Sequence, residues 1–454
     1  MKENRQGNKL GTMPVGKLLV TMAVPMMLSF FIQALYNIVD SIFVAKISEN
    51  ALTAVSLAFP MQNVMSAIGI GTGVGMSALV PRAMGMNDQK KADSVANTGI
   101  FLNLIYVVVF WILGLTVVGP FYRMQTDVTE IVTAGTTYLR IVWLLGLGVF
   151  FGVYFEKMLT ATGNATLAMI SQASGAVFNI IFDPLLIFGI GPFPKLGIAG
   201  AALATVMGQI LAAIVAAVLN IKKNSGIHLS LPAVFHPSSK AVKEIYQVGV
   251  PSMITIGLNS ITSFLINQIL LTYSTTATAV YGIWLKLQNF CYMPAFGVNN
   301  GMVPILAYNY GTNAVDRVKQ TVKYALASIM SLMLVLTLVF EAIPRQLLIL
   351  FSASDNMMGI GLVALRTLVL SLVFGGGCII LSSSMQALNH AGYTLIMNIM
   401  RNLALPTVMF YLLSLMFHDL DKVWLAVPAA ELLTFCLAVT LYRKMLKHLE
   451  QMKK

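Results

Sequence analysis

The chain has 454 residues, of which 57% are hydrophobic and only 10% charged, with a formal net charge of +12. Its mean hydropathy is +0.80. A soluble domain carries a charged fraction near ~25%, so an ordinary soluble enzyme or binding module is excluded.

Taken in chain order, the apolar runs, split at polar or Gly/Pro breaks, predict about twelve membrane-spanning helices. The expected spans are 17–45, 53–81, 94–120, 131–158, 165–190, 196–221, 243–272, 278–308, 318–343, 358–387, 392–417 and 423–446. The fold class expected is therefore all-α integral membrane protein, with two pseudo-symmetric lobes of six helices each. Residues 1–222 form the N-terminal lobe, 223–242 a cytoplasmic linker, and 243–454 the C-terminal lobe with a short basic tail. The run after Lys17 is too long for the core of a cleavable signal peptide, so none is expected.

An even number of spans puts both termini on one side. That side collects Lys2, Arg5, Lys9, Lys17, Arg82, Lys90, Lys91, Lys157, Lys222, Lys223, Lys240, Lys243, Arg317, Lys319, Lys323 and the tail from Arg443 to Lys454. The other side has only Lys46, Arg123, Lys195, Arg345 and Lys422. The positive-inside rule then places both termini in the cytoplasm. The +12 charge holds loops against an anionic leaflet, and nucleic acid is not expected as a partner. Cys291, Cys378 and Cys436 all fall within spans and are expected to be reduced packing residues. The histidines are scattered, so no metal cluster is expected.

The chain repeats itself. Ala23-Val24-Pro25 opens the first helix and Gly249-Val250-Pro251 the seventh. Val80-Pro81 with Gly85-Met86-Asn87-Asp88 closes the second, and Val303-Pro304 with Gly311-Thr312-Asn313 closes the eighth. Met158–Asn164 is echoed by Met385–Ala391. Two parallel six-helix repeats are an established transporter plan, with substrate near the midplane.

Asp40 and Asp183 stand deep inside apolar runs. An ionisable group at bilayer depth costs roughly 2.5–3.5 kcal/mol on insertion scales and usually marks an ion or proton pathway. Tyr36 and Asn37 precede Asp40 by four and three residues, and Asn179 precedes Asp183 by four. These spacings place each set on one helical face. Pro184 has no N–H and loosens its helix locally. The five residues Asp40, Asp183, Asn179, Tyr36 and Asn37 are the candidate cation-coupling set, with Asp40, Asp183 and Asn179 able to ligate Na⁺. A close pair of carboxylates equally suits a proton, and protons are preferred because they need no complete ligand cage.

At the repeat offset, Asp40 falls near Ile266 and Asp183 near Phe410, so only the first half keeps the acids. Gln33, Asn63, Met65, Gln288, Asn289 and Tyr292 are candidate substrate contacts, polar or adaptable groups at suitable depth. Glu431 either joins them or pairs with Lys286, Arg366 or Arg401. Arg140 and Glu156, near helix ends, are read as snorkelling. The glycine runs 69–75 and 375–377 lie inside spans without a following Walker lysine, so nucleotide binding is rejected and close helix packing is expected.

Pro25 with Asp40, VPRAMGMND, VPILAYNYGTN, NIIFDPLLIFG followed by GIAGAALATV, and AAELLTF together resemble the MATE family, the multidrug and toxic compound extrusion transporters. The resemblance covers essentially the whole chain and is strongest to the branch of staphylococcal-type and DNA-damage-inducible exporters. It implies a secondary antiporter, not an enzyme, that exports lipophilic and often cationic compounds in exchange for H⁺ or Na⁺. It needs no cofactor and works as a monomer, with the cation site in the N-terminal half. The vibrio-type branch has a Glu in the seventh helix and an Asp in the tenth; neither acid is present here. The alternative is a flippase for lipid-linked oligosaccharide, whose pyrophosphate would require several cleft cations. A membrane enzyme or channel finds no supporting motif.

Overall fold

The computed structural model describes residues 8–224, 226–351 and 353–452. Lys2, Arg5, Lys453 and Lys454, counted in the charge asymmetry above, lie outside them. The fold is all-helical and belongs to a membrane protein. Its long helices are α1 (Val15–Ala45), α2 (Glu49–Gly85), α3 (Gln89–Thr116), α4 (Thr129–Leu144 and Leu147–Ala161), α5 (Ala165–Phe188) and α6 (Ile198–Lys223). Then come α7 (Ser239–Leu271), α8 (Thr275–Gly311), α9 (Val315–Ala342), α10 (Asp355–Leu368 and Ser371–Ala387), α11 (Ala391–Phe417) and α12 (Ala426–Met452).

Among the described residues, nine helices are long and apolar enough to cross a membrane, and the bent pairs α4 and α10 raise the number to eleven. The remaining long helix is α8, whose 37 residues occupy the place expected of the eighth span. The spans expected as single helices over 131–158 and 358–387 are each broken and bent by 45°. Leu145-Gly146 interrupts the first and Val369-Leu370 the second.

Backbone geometry carries the internal repeat. Asn87 and Asn313 both take a left-handed conformation with φ of 56°, and Gly163 and Asn389 do so at 88° and 68°. Such residues end helices because only Gly, or Asn at small cost, tolerates that region. Ser48 and Ser274 cap α2 and α8 identically, each side-chain oxygen accepting from the amide three residues on. Every pair is 226 positions apart in number, 87 to 313, 163 to 389 and 48 to 274.

The chain forms two compact units, divided inside α1 and α7. One contains the residues up to Gly11 with Val24–Met253, and the other Thr12–Ala23 with Ile254 onward. The first unit ties in the start of α7 through glycine. A Cβ on Gly249 would lie 2.3 Å from the Gly71 carbonyl oxygen, and one on Gly75 2.5 Å from that of Ile245. The second unit ties in the start of α1 the same way. A Cβ on Gly301 would lie 2.8 Å from the Ala23 nitrogen, and Arg317 donates to the Met13 carbonyl at 2.8 Å. The glycines of 375–377 likewise face close side chains: Tyr292 and Arg401, then Ile329 and Met333, then Phe435. Cys291 and Cys378 are buried, but Cys436, expected to pack, is exposed on α12.

The closest approach bearing on the acids is between α5 and α6. A Cβ on Gly175 would lie 2.5 Å from the Gly208 carbonyl oxygen, and one on Gly208 2.7 Å from that of Gly175. Gly208→Val is expected to force these backbones apart, destabilising the protein by about 1–3 kcal/mol. Fluorescence-detected thermal unfolding in detergent measures the loss, and an unchanged midpoint would remove the contact from this role.

Candidate cation and substrate sites

On α5, Ser171, Gly175, Asn179 and Asp183 recur every four residues and are all buried, forming one face of the helix. Asp183 is 0% exposed. Its carboxyl lies within hydrogen-bonding reach of the Asp40 carboxyl on α1, so the two acids meet. Asn179 joins Asp183 to α6. In the amide orientation that satisfies both ends, its nitrogen donates to Asp183 Oδ2 at 3.1 Å. Its oxygen then accepts from the Thr205 amide at 3.2 Å and from the Thr205 hydroxyl at 3.3 Å.

Asp40 Oδ1 is buried and accepts no hydrogen bond. A desolvated carboxylate oxygen without a donor is strongly unfavourable unless a proton or cation completes it. Tyr36 lies beside Gln33 and neighbours both carboxyls. Asn37 behaves differently. It is exposed and does not line the pocket described next, so of the expected set Tyr36, Asp40, Asn179 and Asp183 come together and Asn37 stands apart.

Beside the acids the first unit holds a pocket of about 230 Å³ lined by Gln33, Tyr36, Glu156, Gln172, Asn179, Thr205 and Gln209, among others. Gln33 accepts from Gln172 at 3.3 Å. Gln209 Oε1 is buried without a donor. Glu156, expected to snorkel, instead lines this pocket, 3.6 Å from the Lys157 ammonium. Met65, expected as a substrate contact, is 2% exposed and belongs to the core of the unit, its methyl group packed over Gly146. Asn63 is half-buried and outside the pocket.

Two residues near the acids escaped the sequence reading. Tyr138 of α4 is buried beside Tyr36, Asp40 and Asp183, and its hydroxyl accepts from Gln62 at 3.4 Å. Thr205 was present in the GIAGAALATV segment, but its partner across the helix pair was not visible there.

The second unit has a pocket of about 260 Å³ at related positions. Gln288, Asn289, Tyr292 and Glu431 line it, as do Tyr281, Trp284, Phe296 and Arg401. At the 226-residue offset, Gln33 corresponds to Asn259 and Thr205 to Glu431, both in this wall. At the same offset Asp40 corresponds to the buried Ile266, and Asp183 to Met409, next to the buried Phe410. Phe410 meets the Tyr281 ring edge-on at 5.9 Å between centroids.

Glu431 pairs with Arg401 while also lining this pocket. Arg401 Nε donates to Glu431 Oε1 and Oε2 at 3.1 and 3.0 Å, and Nη2 to Oε1 at 3.0 Å. Arg401 belongs to a π-helical turn, Met400–Ala404, set just before Pro406. Pro406 cannot donate to the Asn402 carbonyl; the Thr262 hydroxyl of α7 does.

A MatE family model matches residues 25–185 and 251–412. The chain belongs to the MATE family. Its members are secondary transporters, so this MATE chain is a multi-pass transporter and not an enzyme. It is 26% identical over 400 residues to the multidrug export protein MepA of Staphylococcus haemolyticus, covering 88% of this chain and 87% of that one. To MepA of Staphylococcus aureus strain MRSA252 it is 24% identical over 430 residues, covering 94% of each. Its structure matches an outward-facing multidrug resistance MATE family transporter of the MOP superfamily with a TM-score of 0.91. That match has 26% identity and covers 99% of this chain and 100% of the other.

In this MATE chain, removing one partner of the buried Arg401–Glu431 pair strands a charge in a low-dielectric interior. Arg401→Leu is expected to destabilise by about 3–5 kcal/mol. The Arg401→Leu/Glu431→Leu double substitution should recover most of that loss. Thermal unfolding of the three proteins checks the ordering, and equal losses in single and double variants would contradict it.

Proposed function

We propose that this transporter exports lipophilic, often cationic, compounds in exchange for an inward-moving monovalent cation, with Asp40 and Asp183 as the coupling site. The observation that carries the reading is the meeting of these two carboxyls, with Asp40 Oδ1 buried and lacking a donor. The names of the MepA relatives support multidrug export as the activity. The basic loops support termini on the cytoplasmic side of a bacterial inner membrane.

In this reading the acids release their proton or ion to one side and reload from the other as the transporter alternates access. Protons are the preferred coupling ion, because two carboxyls in contact hold one proton between them without further ligands. Sodium would draw on Asp40, Asp183 and Asn179. The pocket beside the acids supplies acceptors for a cationic substrate, Glu156 and Gln209 Oε1 among them.

The flippase reading has less support. Its required cations are already engaged: Arg401 with Glu431, Arg366 with Glu341 at 3.6 Å, and Lys286 over the Phe351 ring at 6.0 Å.

Asp40→Asn and Asp183→Asn should each abolish coupled efflux while the protein still inserts, since a neutral isostere relieves the membrane cost but carries no exchangeable charge. Wild-type drug resistance in either well-expressed variant would remove that Asp from the mechanism. In proteoliposomes, efflux should persist in nominally Na⁺-free buffer and collapse with a protonophore. It should also fall as external pH is raised to dissipate the inward proton gradient. Efflux that survives loss of that gradient but needs external Na⁺ would make the same two aspartates sodium ligands.

A further inference from the structure

The pocket in the second unit differs from its repeat-related counterpart in charge. The first unit's pocket adjoins two carboxyls and suits a cation. In the second unit, a guanidinium and a carboxylate stand side by side at 3.0 Å, and their charges sum to zero.

Glu431 is 8% exposed, and both members of the pair line the cavity. Arg401 turns Nε and Nη2 to Glu431, and its guanidinium carbon lies 5.4 Å from the centre of the Tyr292 ring. The Tyr292 hydroxyl packs over Gly375, where any side chain would displace it. Tyr281, Trp284 and Phe296 complete an aromatic wall, and about 260 Å³ suits a compound of one or two fused rings. The π-turn that carries Arg401 is itself a feature concentrated at functional sites.

A neutral ion pair at membrane depth selects against net charge. A cation or an anion entering here adds an uncompensated charge in a medium where desolvation is severe. A ligand with both charges adds none. Laid antiparallel to the pair, its carboxylate meets the guanidinium and its ammonium meets the carboxylate, so each charge has an opposite neighbour.

We propose that this pocket binds small aromatic zwitterions, with the ligand carboxylate on Arg401, the ammonium on Glu431 and the ring against Tyr281, Trp284 and Tyr292. The inference rests on the export reading for its physiological role, but the binding itself is separately measurable.

The probes are tritiated tryptophan, its methyl ester and N-acetyltryptophan, which share one ring and are zwitterion, cation and anion. Binding is measured by scintillation proximity on purified protein in lipid nanodiscs. Tryptophan is expected to bind at least tenfold more tightly than either derivative. Arg401→Gln/Glu431→Gln, which removes both charges together and leaves hydrogen-bonding side chains, should abolish that advantage. Glu431→Gln alone should shift the preference towards N-acetyltryptophan, and Arg401→Gln alone towards the ester. A purely structural ion pair would not produce opposite shifts. If the charge variants do not fold, Gln288→Leu keeps the pair and should lower tryptophan affinity several-fold; no change there would count against the pocket.

Equal affinity of the wild type for all three probes, or an order unchanged in the double variant, would overturn the proposal. Export of tetraphenylphosphonium is followed with the same wild-type preparation. If export proceeds while the three probes bind alike, this site falls alone. If charge-selective binding is present without export, the site stands and the export reading falls.

Discussion

A membrane interior supplies no water, so the polar groups of this chain must find partners within the chain or in what it carries. Most of the structure follows from meeting that demand. Asn179 is held between Asp183 and Thr205, and Arg401 is matched to Glu431. Thr262 takes the carbonyl that Pro406 cannot serve. Asp40 Oδ1 is the exception that matters most, a buried acceptor beside a second carboxyl with no donor of its own.

Holding such groups in register requires helices closer than ordinary side chains allow. Glycine makes the approach possible at Gly175 and Gly208, where backbone touches backbone, and again at Gly71 and Gly249. Without a hydrophobic drive between helices in lipid, packing of this closeness supplies much of the cohesion. The same contacts assign the start of α7 to the first unit, as Gly301 against Ala23 assigns the start of α1 to the second.

The two halves share a backbone but differ in charge. Caps, left-handed turns and pocket walls repeat at one spacing. The acids of the first half give way to Ile266 and to Met409 beside Phe410 in the second, whereas Thr205 becomes Glu431 and brings Arg401 with it. One half therefore presents two adjoining acids, one with a buried oxygen that accepts no hydrogen bond. The other presents a permanently matched pair, whose positive member is tethered to the chain and cannot leave.

By itself the sequence determined the class, the helix order, the repeat and the two acids, because burial in lipid restricts charge so severely that two aspartates in apolar runs are conspicuous. The spacing of four also placed Asn179 on the face of Asp183. Contacts between distant helices were decided only by the tertiary structure. Tyr138 carries no local sign of lying beside Asp40, and Asn37 has the same helical credentials as Tyr36 yet is exposed. Met65, expected at the substrate, entered the core, and Glu156, expected at a helix end, lines a pocket, because helical periodicity gives a residue's face but not what that face meets. Glu431 could not be assigned for the same reason. Three cations lay within plausible reach in the sequence, and only the π-turn in α11 shows which of them arrives.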